Sequence, residues 1–255
     1  VAQKIAYDNF SKSYYSYSTP TSMGKSFIMR MFIKEQIQNN SKYNFAIVVP
    51  TKALINEIRI KITKEDLGDL LHEKKYHVVT AAGDAVRSNW KDKQQNYIFI
   101  MTPERMLYLL INEPDLQIDY LFVDEAHKIT GADKRSPFYY QVVNILSERE
   151  HRPHIIFASP NVPNPEVFLD TIPDAGEEII QRKFHTSYSP VSQPKFIINL
   201  INREVSVYNE HKDINIPITS IAIDDADLID VLLRFEKDEE KKEKPFIVYF
   251  PSTRK

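Results

Sequence analysis

The sequence predicts an α/β fold, a mostly parallel sheet with helices on both faces, and three observations carry that prediction. Short apolar runs alternate with longer segments of helical period from the first residue to about Ser159. Each short run holds several apolar residues together, which suits strands buried on both faces. Polar or turn residues bound every run.

The elements follow in order. Gln3 lies on an amphipathic N-terminal helix, and Lys25 to Gln38 has helical period. Phe45 to Val49 reads as a strand, Leu54 to Lys64 as a helix, and Tyr76 to Thr80 and Tyr97 to Met101 as two further strands. Pro103 to Ile111 reads as a helix, with proline acceptable at its first position. Tyr120 to Val123 and His154 to Ala158 are strands flanking a helix over Phe138 to Ser147. Beyond Pro165 the pattern changes. Lys195 to Tyr208 reads as two strands around Asn202-Arg203, and Asp225 to Phe235 as a short amphipathic helix. Glu236 to Lys244 is nearly all charged and reads as a solvated linker, before a strand over Phe246 to Phe250.

Composition excludes several classes. No run of apolar residues is long enough for a membrane span, and the first residues, Val1-Ala2-Gln3-Lys4, lack the long apolar run of a secretory leader, so secretion is not expected. With no cysteine, disulfides and thiolate metal sites are absent, so an intracellular location, cytoplasmic or nuclear or nucleoid, is the expectation. His151 and His154 straddle Pro153 and give a zinc site little support. A net charge of −2 argues against coating nucleic acid by bulk electrostatics, so any strand must be held locally. There are only five glycines, which makes one inside a motif informative.

Thr19-Pro20-Thr21-Ser22-Met23-Gly24-Lys25-Ser26 fits a phosphate-binding loop at its diagnostic end, with Thr19 where the general pattern has glycine. Such a loop needs backbone N–H groups from Thr21 to Ser26 around the phosphates, aided by the positive end of the following helix. Gly24 permits close approach, Lys25 supplies a point charge to the β- and γ-phosphates, and the Ser26 hydroxyl can ligate Mg²⁺. The tripeptide alone is equally an ordinary helix start. Asp124-Glu125-Ala126-His127 stands at the end of an apolar strand, where α/β folds bind ligands. There Asp124 can hold Mg²⁺ through water and Glu125 can orient or deprotonate the attacking water. An acidic helix N-terminus is the plainer alternative.

With these two motifs in place, the chain resembles the first RecA-like domain, a P-loop NTPase domain, of a superfamily 2 helicase with a DEAH box. Val49-Pro50-Thr51-Lys52-Ala53-Leu54 is similar to the family's box after the second strand, and Thr102-Pro103-Glu104-Arg105 to the box after the fourth. The resemblance implies that both grip the sugar-phosphate backbone of RNA or DNA, a task suited to N–H groups, hydroxyls and helix N-termini. Gly83-Asp84 resembles a step preceding the latter box. His127 and Ser159 are implied to couple nucleotide state to motion. Gln3 stands at the spacing of a glutamine that reads adenine, although a surface glutamine has the same appearance.

Ser159-Pro160-Asn161-Val162-Pro163-Asn164-Pro165-Glu166 resembles the Ser-Ala-Thr box and following Asn-Pro-Glu of the Superkiller-type group. Phe184 to Ile197, with Ser189-Pro190-Val191, resembles that group's hairpin between motor domains. Pro160 and Asn161 replace Ala-Thr in a box that in the family relays nucleotide state to strand separation, and proline lacks a backbone donor, while Ser189 stands where the subgroup has arginine.

The resemblance divides the chain into a first RecA-like domain over 1–183, a hairpin, helix and linker over 184–244, and the start of a second RecA-like domain over 245–255. The expectation is therefore a fragment that hydrolyses ATP slowly, because the second domain supplies the arginines that stabilise the transferring phosphoryl group. The leading function is a Mg·ATP-driven helicase or translocase half. A motor subunit of a restriction or antiviral complex and a degenerate nucleotide-binding switch remain as alternatives.

Overall fold

The computed structural model describes residues 2–81, 83, 95–130, 134–160, 162–172, 182–186, 195–199, 204–209 and 214–220. The expected helix over Asp225 to Phe235, the charged linker and the strand at Phe246 to Phe250 lie outside them. The chain divides into two compact units, 1–191 and 192–255.

The first unit begins with helix α1 (Ala2–Asp8) and strand β1 (Tyr14–Ser18), followed by a 3₁₀ turn at Thr21–Met23 and helix α2 (Lys25–Gln38). Next come β2 (Phe45–Val48), α3 (Lys52–Ile60), α4 (Gly68–Glu73), β3 (Tyr76–Val79), β4 (Asn96–Met101) and α5 (Pro103–Asn112). Then β5 (Tyr120–Val123), a short helix α6 (His127–Thr130), α7 (Ser136–Ser147) and β6 (His154–Ser159) precede a 3₁₀ segment at Pro165–Thr171 and β7 (Lys183–His185). The seven strands form one sheet in the order β3-β4-β2-β5-β6-β1-β7. Every pairing in it is parallel.

Alternation along each strand splits the core in two. Phe45 and Ile47 of β2 join Phe32 and Ile33 of α2 and Ile55 of α3 on one face. Ala46 and Val48 join Met106 and Leu110 of α5 and Tyr139 and Val143 of α7 on the other. All four β2 residues are buried, which explains why the sequence shows a continuous apolar run there rather than an alternating one. The expected two-faced sheet is therefore present.

Two local features depart from the sequence reading. Strand β1 is not expected, because serine interrupts its tyrosines; Ser16 donates its hydroxyl to the Pro165 carbonyl at 2.6 Å, and Ser18 accepts the Val162 N–H at 2.6 Å. The expected helix over Leu54 to Lys64 instead starts at Lys52 and widens into a π turn at Lys61–Asp66. Asp66 at its end pairs with Arg30 of α2 at 2.5 Å.

The second unit contains an antiparallel sheet of β8 (Lys195–Asn199), β9 (Glu204–Asn209) and β10 (Ile214–Ser220) in the order β10-β9-β8. Its first two strands match the expected pair, while β10 is additional.

Candidate nucleotide site

Because all seven strands run the same way, the segments after β1, β2, β3, β4, β5 and β6 emerge at one edge of the sheet. Parallel α/β sheets bind ligands at that carboxyl edge, where helix N-termini also point. Six of the expected segments begin there: the Thr19 loop, Pro50-Thr51-Lys52, the chain from Thr80 that leads toward Gly83, Thr102 to Arg105, Asp124-Glu125 and Ser159.

Gly24 adopts φ +75°, ψ 38°, a left-handed conformation that links the 3₁₀ turn to α2. The positive φ favours glycine there, and a Cβ would stand 3.2 Å from Gln3 Nε2, so the glutamine amide would have to give way to it. Gln3 in turn donates to the Met23 carbonyl at 2.8 Å. The glutamine singled out for adenine thus braces the loop from α1.

Lys25 is 6 % exposed, and its ammonium donates to the Thr19 carbonyl at 3.1 Å and the Pro20 carbonyl at 3.3 Å. Burial pushes its pKa down, while Asp124 and Glu125 pull it back up. Asp124 is buried at the end of β5, and burial raises its carboxyl to about 6, with Glu125 adding to the rise. The Glu125 N–H donated to Asp124 Oδ1 at 3.0 Å and the Lys25 charge oppose that rise. A buried ammonium and two carboxylates, one of them buried, therefore share one electrostatic environment although β6 separates their strands.

Glu125 has φ +55°, which no β-carbon-bearing residue adopts without strain. The turn is held by the Ala126 N–H on the Ala158 carbonyl at 2.9 Å and the Lys128 N–H on the Glu125 carbonyl at 3.0 Å. It points the Glu125 carboxylate back toward α6, where Oε2 lies 3.4 Å from His127 Nδ1 without hydrogen-bond alignment. Glycine at 125 is expected to be more stable than alanine by about 1 kcal/mol, since only alanine retains the left-handed strain. Chemical denaturation of the two variants measures the difference, and equal midpoints would show that the turn is unstrained.

The residues fit an anion paired with a divalent cation. Among the described residues, the buried Thr19 Oγ1 and Ser159 Oγ atoms have no hydrogen-bond partner, and the Lys25 ammonium donates to the Thr19 and Pro20 carbonyls. Ser26, partly buried, opens α2 directly after Lys25. Thr21 is exposed in the turn, and Ser22 shares that turn, its side chain lying outside the described residues.

Two boxes expected to grip a strand begin helices at the same edge. Thr51 caps α3 by accepting the Leu54 N–H at 3.2 Å, and Lys52 follows exposed. Thr102 precedes α5 in extended conformation with Pro103 at the first turn. Arg105 donates to the Thr80 carbonyl at 2.9 Å, tying this box to the residue that follows β3, and Gly83 is exposed. Asp84 lies outside the described residues. Glu104 pairs at 3.0 Å with Arg135, which also donates to the Pro50 carbonyl. Sequence reading misses Arg135, because nothing in its neighbourhood signals a partner so distant in the chain.

Glu166, next to Pro165, pairs with Lys183 of β7 at 2.6 Å. That lysine holds the carboxyl below its ordinary range. Among the described residues no helix is long and apolar enough to cross a membrane, and no His/Cys/Asp/Glu cluster forms a metal site.

The solved structures confirm the architecture. The helicase domain of Hef from Pyrococcus furiosus superposes with a TM-score of 0.52 at 18% identity, covering 72% of this chain and 38% of that one. The helicase MrfA superposes with a TM-score of 0.55 at 18% identity, covering 78% of this chain and 31% of that one. In sequence, an uncharacterised ATP-dependent helicase of Methanocaldococcus jannaschii is 23% identical over 202 residues, 74% of this chain and 29% of its own length. The protein named Probable ATP-dependent RNA helicase DDX52 of Rattus norvegicus is 29% identical over 137 residues, 51% of this chain and 22% of its own length. The chain thus spans less than a third of the curated relatives it matches. The DEAD/DEAH box helicase model matches residues 2–167, from the Gln3 helix through the Asn-Pro-Glu segment, and the chain belongs to that family.

Proposed function

We propose that residues 1–183 form the ATP-binding half of a nucleic-acid-dependent motor, with Superkiller-type helicases as its subgroup and a second RecA-like domain as its partner. The observation that carries this reading is the meeting of Lys25, Asp124 and Glu125 at one sheet edge, each shifting or facing the others' charge. Bound Mg²⁺ neutralises phosphate charge and polarises the bond to be cleaved. Ser26 and Asp124 would hold that cation, Lys25 would turn from the Thr19 and Pro20 carbonyls to the β- and γ-phosphates, and the Thr21 to Gly24 backbone would wrap the anion. Glu125 accepts a proton from the attacking water. His127, whose Nδ1 lies 3.4 Å from Glu125 Oε2, and Ser159, at the end of the neighbouring strand β6, carry the site's state outward.

Strand binding falls to Pro50, Thr51, Lys52, Gly83, Asp84, Thr102, Pro103 and Arg105, with Glu104 contributing its backbone N–H in the first turn of α5. The RNA in the name of DDX52 and the DNA bound in the MrfA structure point to different strands, so the common chemistry is a single-stranded sugar-phosphate backbone. Binding of a labelled oligouridylate or oligodeoxythymidylate is expected to weaken steeply with salt, with a log-log slope of about −0.7 per phosphate contacted. Salt-independent affinity, or none, would contradict it.

A nucleotide-binding switch is a second reading, favoured by one local observation. Pro160 has no N–H to offer beside Ser159, whose buried hydroxyl has no partner among the described residues. A switch would bind ATP and no strand.

A further inference from the structure

The candidate strand track contains a charge of the wrong sign. Glu104 stands in the first turn of α5, where the helix N-terminus favours anions and where the proposed function places a phosphate. An unpaired carboxylate there would take the positive end of the helix for itself and repel the strand. The side chains of Glu104 and Arg135 are 34 % and 44 % exposed, so this is a surface contact rather than a core ion pair. Surface pairs contribute little to stability, and the pair's value has to be sought elsewhere.

Arg135 does two things with one planar group. Its Nε lies 3.0 Å from Glu104 Oε1, and its Nη1 donates to the Pro50 carbonyl, immediately before the Thr51 cap of α3. The N-termini of α3 and α5 are thereby bridged from the residue that precedes α7. A lysine could supply the charge, but only a guanidinium forks between a carboxylate and a carbonyl in fixed geometry. The Ser136 hydroxyl, next in the chain, donates to the Ile129 carbonyl at α6, so the bridge is anchored beside the Asp124 to His127 turn.

Resting on the reading of a strand track at this edge, we propose that Arg135 is a positioning residue for single-stranded nucleic acid, masking the Glu104 carboxylate so that α3 and α5 present one uninterrupted anion-binding surface. It acts through Glu104 and Pro50 rather than by touching the strand.

The test is strand affinity by fluorescence anisotropy, with labelled oligouridylate and oligodeoxythymidylate on wild type, Arg135→Ala, Glu104→Gln and the double variant, each checked by thermal melting. Arg135→Ala is expected to weaken binding about tenfold, and Glu104→Gln in that background to restore it to within about threefold of wild type, because the exposed carboxylate is then gone. Arg135→Lys, which keeps charge without the fork, is expected to lose about threefold and serves if the alanine variant does not fold. Unchanged affinity in Arg135→Ala, or a loss that Glu104→Gln does not recover, overturns the proposal. A wild-type chain that binds neither oligonucleotide removes the strand track itself, whereas a wild type that binds and variants that match it remove only the role of Arg135.

Discussion

Asp124→Asn is expected to melt several degrees above wild type at neutral pH while losing its affinity for Mg·ATP. The carboxyl is raised from 3.8 to about 6, chiefly by burial and then by Glu125. A raised carboxyl binds its proton more tightly when folded, so ionisation destabilises the fold. The penalty grows as pH rises from about 4 to about 6 and is fully present above that. A rise of that size corresponds to at most about 3 kcal/mol, and asparagine removes the penalty while its Oδ1 still accepts the Glu125 N–H. For a chain of this size each kcal/mol moves Tm by roughly 2–4 °C. Melting curves at pH 4 and pH 7.5 should therefore separate the variants only at the higher pH. A variant that melts at or below wild type at pH 7.5 would show that burial does not penalise the Asp124 carboxylate. The same titration makes Mg²⁺ binding weaken below about pH 6, because a protonated carboxyl is a poor ligand for a hard cation.

The site and the fold are legible in the sequence to different depths. Residues whose partners are near in the chain announce themselves: Gly24-Lys25-Ser26 at the start of α2, Pro103 opening α5, and the apolar β5 ending in Asp124 all follow from local rules. The run Tyr14 to Ser18 does not, although β1 lies between β6 and β7 and delivers the phosphate loop. Its serines look like surface residues until their buried partners at Pro165 and Val162 are known. The π turn after α3 escapes for a related reason: the Asp66 at its end pairs with Arg30, distant in sequence. Arg135 has no local signature at all, and its partners Pro50 and Glu104 come from two other strand-to-helix junctions. Glu125 shows the remaining limit, since a motif gives its identity but not the positive φ that aims its carboxylate.

Lys25→Ala is expected to have the largest effect on binding. The ammonium is buried on two carbonyls of its own loop, with two carboxylates close enough to stabilise its charge. Keeping a cation there in the absence of a phosphate is unfavourable by burial, so its position is explained by the anion it receives. Alanine removes that charge and leaves the Gly24 turn and helix N-terminus, which give a phosphate only backbone donors. A loss of at least about a hundredfold in affinity, roughly 2.7 kcal/mol, is the expected cost. Melting should change little, because the lost contacts are offset by relief of desolvation.

Calorimetric titration of Mg·ATP into the wild-type chain and into Lys25→Ala at pH 7.5 tests the half-site most directly. Saturable binding by wild type that chelation of Mg²⁺ weakens, and no detectable binding by the variant, is the predicted result. Equal affinity in the two proteins, or binding indifferent to Mg²⁺, would contradict it.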